Sequence, residues 1–113
     1  MGNPVISSEK VEGTAVYNPN GDKLGSIDDL VIDKRSGMVR YAALEFGGFL
    51  GMGTERYPLP WSLLTYDTKL DGYVVPLSKE QLDKAPRYTD PQRPEYTDDY
   101  GRRVHDYYGV AWQ

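Results

Sequence analysis

The sequence contains no cysteine and no long run of apolar residues. Without cysteine there can be no disulfide, no thiolate nucleophile and no cysteine-ligated metal. A membrane-spanning helix needs about 20 apolar residues, and the N-terminus lacks the basic and apolar segments of a signal peptide. We therefore expect a cytoplasmic protein that does not insert directly into a membrane.

Basic charge is also scarce. The chain has 13 Lys and Arg against 17 Asp and Glu, which gives a net charge of -4. Its longest basic runs are the pairs Lys34-Arg35 and Arg102-Arg103. Because an acidic protein is repelled on average by a phosphate backbone, we expect no nucleic-acid partner.

Side chains that could carry out catalysis are few. His105 is the sole histidine, no serine lies in a nucleophile-elbow motif, and a tyrosine-packed or surface imidazole is the simplest interpretation. The acidic residues Asp22, Asp28, Asp29 and Asp33 lack the spacing of a calcium-binding loop. We therefore expect no enzyme activity, no cofactor and no metal site.

The chain is richer in aromatic and turn-forming residues. Its 113 residues, enough for one domain, include 10 tyrosines, 12 glycines and 8 prolines. From about residue 11 to 77, short apolar segments alternate with clusters of turn residues. This spacing predicts about six short strands, as in a small barrel or sandwich.

The segment Lys23–Asp33 is predicted to be a strand with a bulge. Its apolar residues Ile27 and Leu30 are out of phase for a strand, in which alternate residues share a face. One extra residue at Asp28-Asp29 would restore the alternation, and that is what a β-bulge supplies.

Other strands have their own features. The segment Val11–Tyr17 is predicted to be the first strand, and Met38–Phe46, apolar on both faces, a central one. Pro58 has no backbone N–H to donate, so the strand Glu55–Leu59 should lie at an edge or on a non-bonded position. Trp61 is expected to plug one end of the barrel.

A short helix should follow the strands. Ser78 is a good N-cap and Gln81 stands three residues later, which is the arrangement of a capping box. Pro86 should end this helix, because proline cannot continue one.

A second helix is predicted near the C-terminus. Its apolar residues recur at the spacing of one helix face, namely Tyr100, Val104, Tyr107 and Tyr108. Thr97 or Asp98 could cap its start, and Gly109 suits its end. Because disordered tails are poor in aromatic residues, we expect this tail to dock, either on its own barrel or on a second subunit.

A glycine-rich loop at residues 47–53 separates two of the predicted strands. If exposed, its side chains Phe49, Leu50 and Met52 would form an apolar patch that invites a partner. An alternative function is small-ligand or ion binding by this loop together with Arg56, although no nucleotide-binding motif is present.

The order of these features resembles the PRC-barrel domains, a family named for the photosynthetic reaction centre H subunit. The resemblance covers roughly residues 11–86 and rests on several short motifs taken together, which are Gly13-Thr14-Ala15-Val16-Tyr17-Asn18, Asn20-Gly21-Asp22-Lys23-Leu24-Gly25, Ile27-Asp28-Asp29-Leu30-Val31-Ile32-Asp33, Gly37, Val39-Arg40-Tyr41-Ala42, Phe46-Gly47-Gly48-Phe49-Leu50-Gly51-Met52-Gly53 and Pro58-Leu59-Pro60-Trp61. It implies a mainly β fold: a small, partly open barrel of about six strands that acts by contact rather than catalysis.

We therefore expect a flexible N-terminus at residues 1–10, a PRC-type β-barrel at 11–86 and a tyrosine-rich extension with a short helix at 87–113. The expected function is that of a non-catalytic interaction or adaptor module that forms a homodimer and binds an unidentified protein partner. The candidate interaction surface consists of apolar loop and tail residues with one arginine, namely Phe49, Leu50, Met52, Arg56, Tyr100, Val104, Tyr107, Tyr108 and Trp112.

Overall fold

Six short strands form one sheet in the computed structural model, which describes residues 5–46, 55–89 and 94–111. The strands are β1 (Ala15–Tyr17), β2 (Lys23–Ile32), β3 (Val39–Phe46), β4 (Glu55–Pro60), β5 (Thr65–Asp67) and β6 (Gly72–Val74). Three helices and one 3-10 turn accompany them, namely α1 (Ser8–Val11), the turn Trp61–Leu63, α2 (Lys79–Asp83) and α3 (Asp98–Tyr108).

The strand order in the sheet is β4-β3-β2-β1-β6-β5. Neighbouring strands are antiparallel except β1 and β6, which pair in parallel. Within the described ranges β4 and β5 form the two edges, so the sheet is not closed into a barrel. The predicted mainly β architecture with a short helix and a C-terminal helix is confirmed.

The hairpin of β2 and β3 contains the predicted bulge. Ile27 pairs with Leu44 and Asp29 pairs with Ala43, so Asp28 is the extra residue. The turn after β2 is tight, and Gly37 there has a φ of 78°, a conformation that favours glycine.

Strand β3 is central, as predicted. Its residues Tyr41, Ala42, Ala43 and Leu44 are each at most 2% exposed. Ala42 and Leu44 pack in one core with side chains from other parts of the chain, which include Val16, Leu24, Ile27, Leu59, Tyr73, Val75, Leu77 and Leu82.

Strand β4 lies at an edge, which confirms the interpretation of Pro58. Its outer side is partly covered, because the backbone N–H and C=O of Arg56 exchange hydrogen bonds of 2.8 and 2.9 Å with Tyr88. The segment after α2 is thereby held against the sheet. Trp61 follows β4 and packs against the core while staying partly exposed.

The N-terminal segment differs from the prediction. Residues Ser8–Val11 form one helical turn, and the first strand begins at Ala15 rather than at Val11. The turn is held by its ends, since Ser7 caps it and Val11 is only 3% exposed in the core. Four residues carry too little helical periodicity to be recognised in a sequence.

Helix α2 begins as predicted but ends at Asp83, before Pro86, and α3 begins and ends as predicted. In α2 the side chain of Ser78 accepts from the N–H of Gln81, and the side chain of Gln81 accepts from the N–H of Ser78. In α3 the hydroxyl of Thr97 accepts from the N–H of Tyr100, and Gly109 ends the helix with a φ of 70°. Among the described residues, no helix combines the length and the apolar character needed to cross a membrane.

Candidate interaction surface

The C-terminal helix α3 docks on the sheet of its own chain. It contacts β4 and buries Gly101, Val104 and His105. Val104 is 0% exposed, so its contacts are intramolecular. Since an isolated helix of 11 residues is marginal in water, this apolar face stabilises the helix.

A cluster of aromatic rings forms the contact between the tail and the sheet. The ring of Tyr41 on β3 lies 5.7 Å from that of Tyr96, 6.5 Å from that of Tyr100 and 5.5 Å from that of His105. These separations are typical of favourable aromatic pairs. Burial raises the pKa of Tyr100 to about 12, which keeps its phenol neutral.

His105 belongs to this cluster, as the sequence suggested. Its Nδ1 lies 2.8 Å from the carbonyl oxygen of Gly101, so Nδ1 carries the proton and donates. Burial lowers the pKa of the imidazole below its usual value. The ring is thus a neutral packing and hydrogen-bonding group in the folded protein.

Two adjacent tyrosines at the end of α3 have different surroundings. The hydroxyl of Tyr107 donates to the carbonyl oxygen of Gln81 at 2.5 Å, and this side chain is 41% exposed. Tyr108 packs on the core, its hydroxyl is buried without a hydrogen-bond partner among the described residues, and burial raises its pKa. Of the predicted tail face, Tyr107 is therefore the most accessible member.

Arg56 is engaged inside the molecule. Its side chain is 11% exposed, and its Nε lies 2.7 Å from Oδ2 of Asp28. Its Nη1 lies 3.6 Å from Oε2 of Glu45, the neighbouring residue on β3. These ion pairs join three strands and occupy the guanidinium that the alternative ligand-binding function requires.

The other sequence-based candidates lie outside the described residues. These are the apolar residues of the glycine loop and one tryptophan, namely Phe49, Leu50, Met52 and Trp112. The acidic residues considered for a cation have local partners: Asp22 accepts from the side chain of Asn18, and Asp33 accepts from backbone N–H groups of its turn. In the described ranges no three His, Asp or Glu side chains are placed to hold a metal ion.

The pairing of the strands defines a common end of the sheet, which we call the hairpin end. Strand β2 runs toward its turn at residues 33–38, and Ala15, at the start of the antiparallel β1, lies beside Ser26. Since β6 is parallel to β1 and antiparallel to β5, the turn at residues 68–71 points the same way. Helix α1, just before β1, lies there too.

Exposed apolar side chains gather at the hairpin end. Among the described residues, all of the large exposed hydrophobic side chains except Tyr107 belong to segments that lie at or point toward this end of the sheet. We call this set the end patch, and it consists of Val5, Ile6, Ile32, Met38, Tyr66 and Leu70. Ile32 and Met38 flank one turn, and Ile6 and Tyr66 line one groove. Exposed apolar groups of this kind on a small domain mark sites of interaction.

Sequence reasoning did not select the end patch. Met38 follows the turn residue Gly37 directly, and Ile32 precedes the turn, so both stand where polar residues are usual. The exposed apolar residues of the hairpin could therefore have been predicted from the sequence around the turn. The approach of Ile6 and Tyr66, which line one groove, depends on the parallel pairing of β1 with β6, which no local pattern specifies.

Known proteins offer two comparisons. The family model described as PRC-barrel domain matches residues 4–82. A protein of Deinococcus radiodurans described as an uncharacterized protein is 28% identical over 78 residues, which are 65% of this chain and 28% of that protein. The chain thus spans little more than a quarter of the length of that relative.

The open six-stranded sheet with the short helix that follows it defines a small, mainly β domain. The family match covers more than half of the chain, and it places this sheet in a named group. The chain belongs to the PRC-barrel domain family. Helix α3 and the tail tyrosines that pack on Tyr41 lie beyond the matched residues.

Proposed function

We propose that this PRC-barrel protein is a non-catalytic interaction module that forms a homodimer and presents the same surface to a protein partner. The observation that supports it is the end patch, where exposed Met38 (65%) and Ile6 (56%) lie on segments directed toward the same end of the sheet. Burying such side chains against a partner contributes roughly 25 cal/mol per Å² of apolar area.

The polar side chains that were candidates for chemistry support the same proposal. Arg56 is paired with Asp28 and Glu45, and His105 packs against Tyr41 with its Nδ1 bonded to the backbone. These contacts stabilise the fold. A cytoplasmic location is part of the proposal, because a chain without cysteine fits a reducing compartment.

The experiment is sedimentation velocity on the full chain over a range of micromolar concentrations, with the variant Met38→Glu. We expect the wild type to move from 12.8 kDa to twice that mass as its concentration rises. Met38→Glu should shift this transition to higher concentration, because it places a charge in the interface. A matched control is Gln81→Glu, which adds the same charge on α2 and keeps the capping box.

A single 12.8 kDa species across the whole concentration range would overturn self-association. Equal behaviour of Met38→Glu and Gln81→Glu in a protein that does dimerise would remove the end patch from the interface. Circular dichroism of each variant establishes that it is folded before its mass is compared.

A further inference from the structure

Charge is unevenly distributed around the end patch. On the β2–β3 turn Lys34 is exposed and the side chain of Arg35 is 91% exposed. The carboxylate of Asp33 turns back toward its own turn, where Oδ1 accepts from the N–H groups of Arg35 and Ser36 at 2.9 and 3.0 Å and lies 3.9 Å from Nε of Arg35, a long and exposed ion pair. The hairpin therefore projects two cations between the apolar side chains of Ile32 and Met38. We call these four residues, Ile32, Lys34, Arg35 and Met38, the basic hairpin.

The other half of the hairpin end is acidic. A groove of about 440 Å³ lies between the N-terminal segment and β5–β6, with Ile6 and Tyr66 as its exposed apolar side chains. Among the described residues that line it, Glu12 and Asp71 are the carboxylates and Lys10 is the one cation. Asp71 is held in place by the hydroxyl of Tyr66, which donates to it. We call Ile6, Glu12, Tyr66 and Asp71 the acidic groove.

The topology allows these two surfaces to meet between two copies of the chain. Both face the hairpin end: the basic hairpin joins β2 to β3, and the acidic groove lies between the start of β1 and the β5–β6 pair. A two-fold axis through that end would place the basic hairpin of each copy on the acidic groove of the other, so both contacts form twice. Opposite charges then face each other around apolar contacts in a closed dimer.

We propose that the partner at the end patch is a second copy of this chain, with the basic hairpin of each protomer seated in the acidic groove of the other. This inference rests on the proposed self-association and specifies its geometry. Apolar contact supplies most of the affinity in such an interface, and the charges fix the register and exclude other arrangements.

Two charge-reversed proteins test the arrangement. The basic-reversed protein carries Lys34→Glu and Arg35→Glu, and the acid-reversed protein carries Glu12→Lys and Asp71→Asn, in which Asn tolerates the positive φ of 51° at that position. Each alone should dimerise about tenfold or more weakly than wild type, because like charges meet at both contacts. Mixed in equal amounts, they should form a heterodimer, because opposite charges meet again at both contacts.

The matched control is the double variant Lys79→Glu and Lys84→Glu on exposed positions of and beside α2. It changes the net charge as the basic-reversed protein does, but away from the hairpin end. Sedimentation velocity of each protein and of the mixture, with one protein fluorescently labelled, gives the dissociation constants. We expect the control to dimerise within about threefold of wild type, since exposed charges far from an interface contribute little.

The outcomes separate this inference from the proposed function. A monomeric wild type overturns both. If wild type dimerises and the basic-reversed protein has a dissociation constant no higher than that of the control, the hairpin contact is wrong. Self-association itself then still stands. If both reversed proteins dimerise more weakly than wild type and their mixture forms no heterodimer, the pairing of hairpin with groove is wrong. Binding of wild type to anionic lipid vesicles without any dimer would instead assign the basic hairpin to a membrane surface.

Discussion

An ion pair between Arg56 and Asp28 connects strands β4 and β2 across strand β3. The Nε of Arg56 on β4 lies 2.7 Å from Oδ2 of Asp28, the bulged residue of β2, with β3 between them. The bulge thereby has a second consequence besides restoring the alternation of β2. It places a carboxylate where a guanidinium that is only 11% exposed needs a charged partner.

Asp28→Asn should lower the free energy of unfolding by about 1–3 kcal/mol, because the buried guanidinium loses its nearest charge while Glu45 retains a weaker contact. Urea denaturation followed by circular dichroism measures the change. The control Asp83→Asn neutralises an exposed carboxylate on α2 and should stay within about 0.5 kcal/mol of wild type. Equal losses in the two variants would refute a structural role for the pair.

The adjacent residues Tyr107 and Tyr108 should respond in opposite directions to loss of the hydroxyl group. Tyr107→Phe removes the hydrogen bond to the carbonyl of Gln81 and should destabilise the protein by about 0.5–1.5 kcal/mol. Tyr108→Phe removes a buried hydroxyl that has no partner among the described residues, so stability should be unchanged or rise by up to about 1 kcal/mol. Thermal unfolding of both variants and wild type measures the two effects. A larger loss of stability in Tyr108→Phe than in Tyr107→Phe would contradict this prediction.

Local patterns in the sequence were sufficient for much of the fold. The spacing of Ile27 and Leu30 predicted the bulge, the pair Ser78 and Gln81 predicted the start of α2, and Gly109 predicted the end of α3. Each of these features is determined by residues within a few positions of one another. Such short-range rules act before the chain is folded, which is why they can be read from the sequence.

Features set by distant parts of the chain were not predictable in this way. The partners of Arg56 lie 28 and 11 positions away, and the one-turn helix α1 depends on burial of Val11 in a core built by other strands. The candidate surface was chosen for local apolar character, whereas exposure is decided by packing. Val104 illustrates the difference, since the same apolar pattern that makes it a candidate is what buries it.

Gly25 should be much less tolerant of substitution than Gly21. A Cβ at Gly25 would lie 2.1 Å from the backbone oxygen of Glu45 on the neighbouring strand, so the sheet would have to shift. We expect Gly25→Ala to destabilise the protein by roughly 2–3 kcal/mol or to prevent folding. A Cβ at Gly21 would have no atom within 4 Å. Gly21→Ala should therefore destabilise the protein by only about 1 kcal/mol, which is the cost of its φ of 88° for alanine.

Urea midpoints of the two glycine variants give the comparison. Because Gly25→Ala could fail to fold, Gly72→Ala serves as a second variant of the same kind, since its Cβ would lie 2.6 Å from the backbone oxygen of Ala15. Should Gly25→Ala and Gly72→Ala both prove as stable as Gly21→Ala, the close approach of these strands would be wrong.

His105 should make the docking of α3 dependent on pH. Burial lowers the pKa of its imidazole in the folded protein below the usual 6.5, so between these two values the unfolded chain binds more protons than the folded one. Stability is therefore fully present above about pH 6.5 and is lost as the pH falls toward the lowered pKa. Arg40 nearby opposes protonation and Asp106 favours it, but burial is the largest influence.

Urea unfolding of wild type between pH 7.5 and pH 5 should show this loss, whereas His105→Asn should show less of it. Asparagine keeps an N–H donor near the position of Nδ1, which donates to the carbonyl of Gly101, and it cannot be protonated in this range. His105→Phe, which keeps a ring against Tyr41, is the second variant. Carboxylates contribute to the pH dependence of all three proteins, so the difference in unfolding free energy between wild type and variants is the quantity to compare. If the unfolding free energy changes equally with pH in all three, the protonation of the imidazole is not coupled to folding.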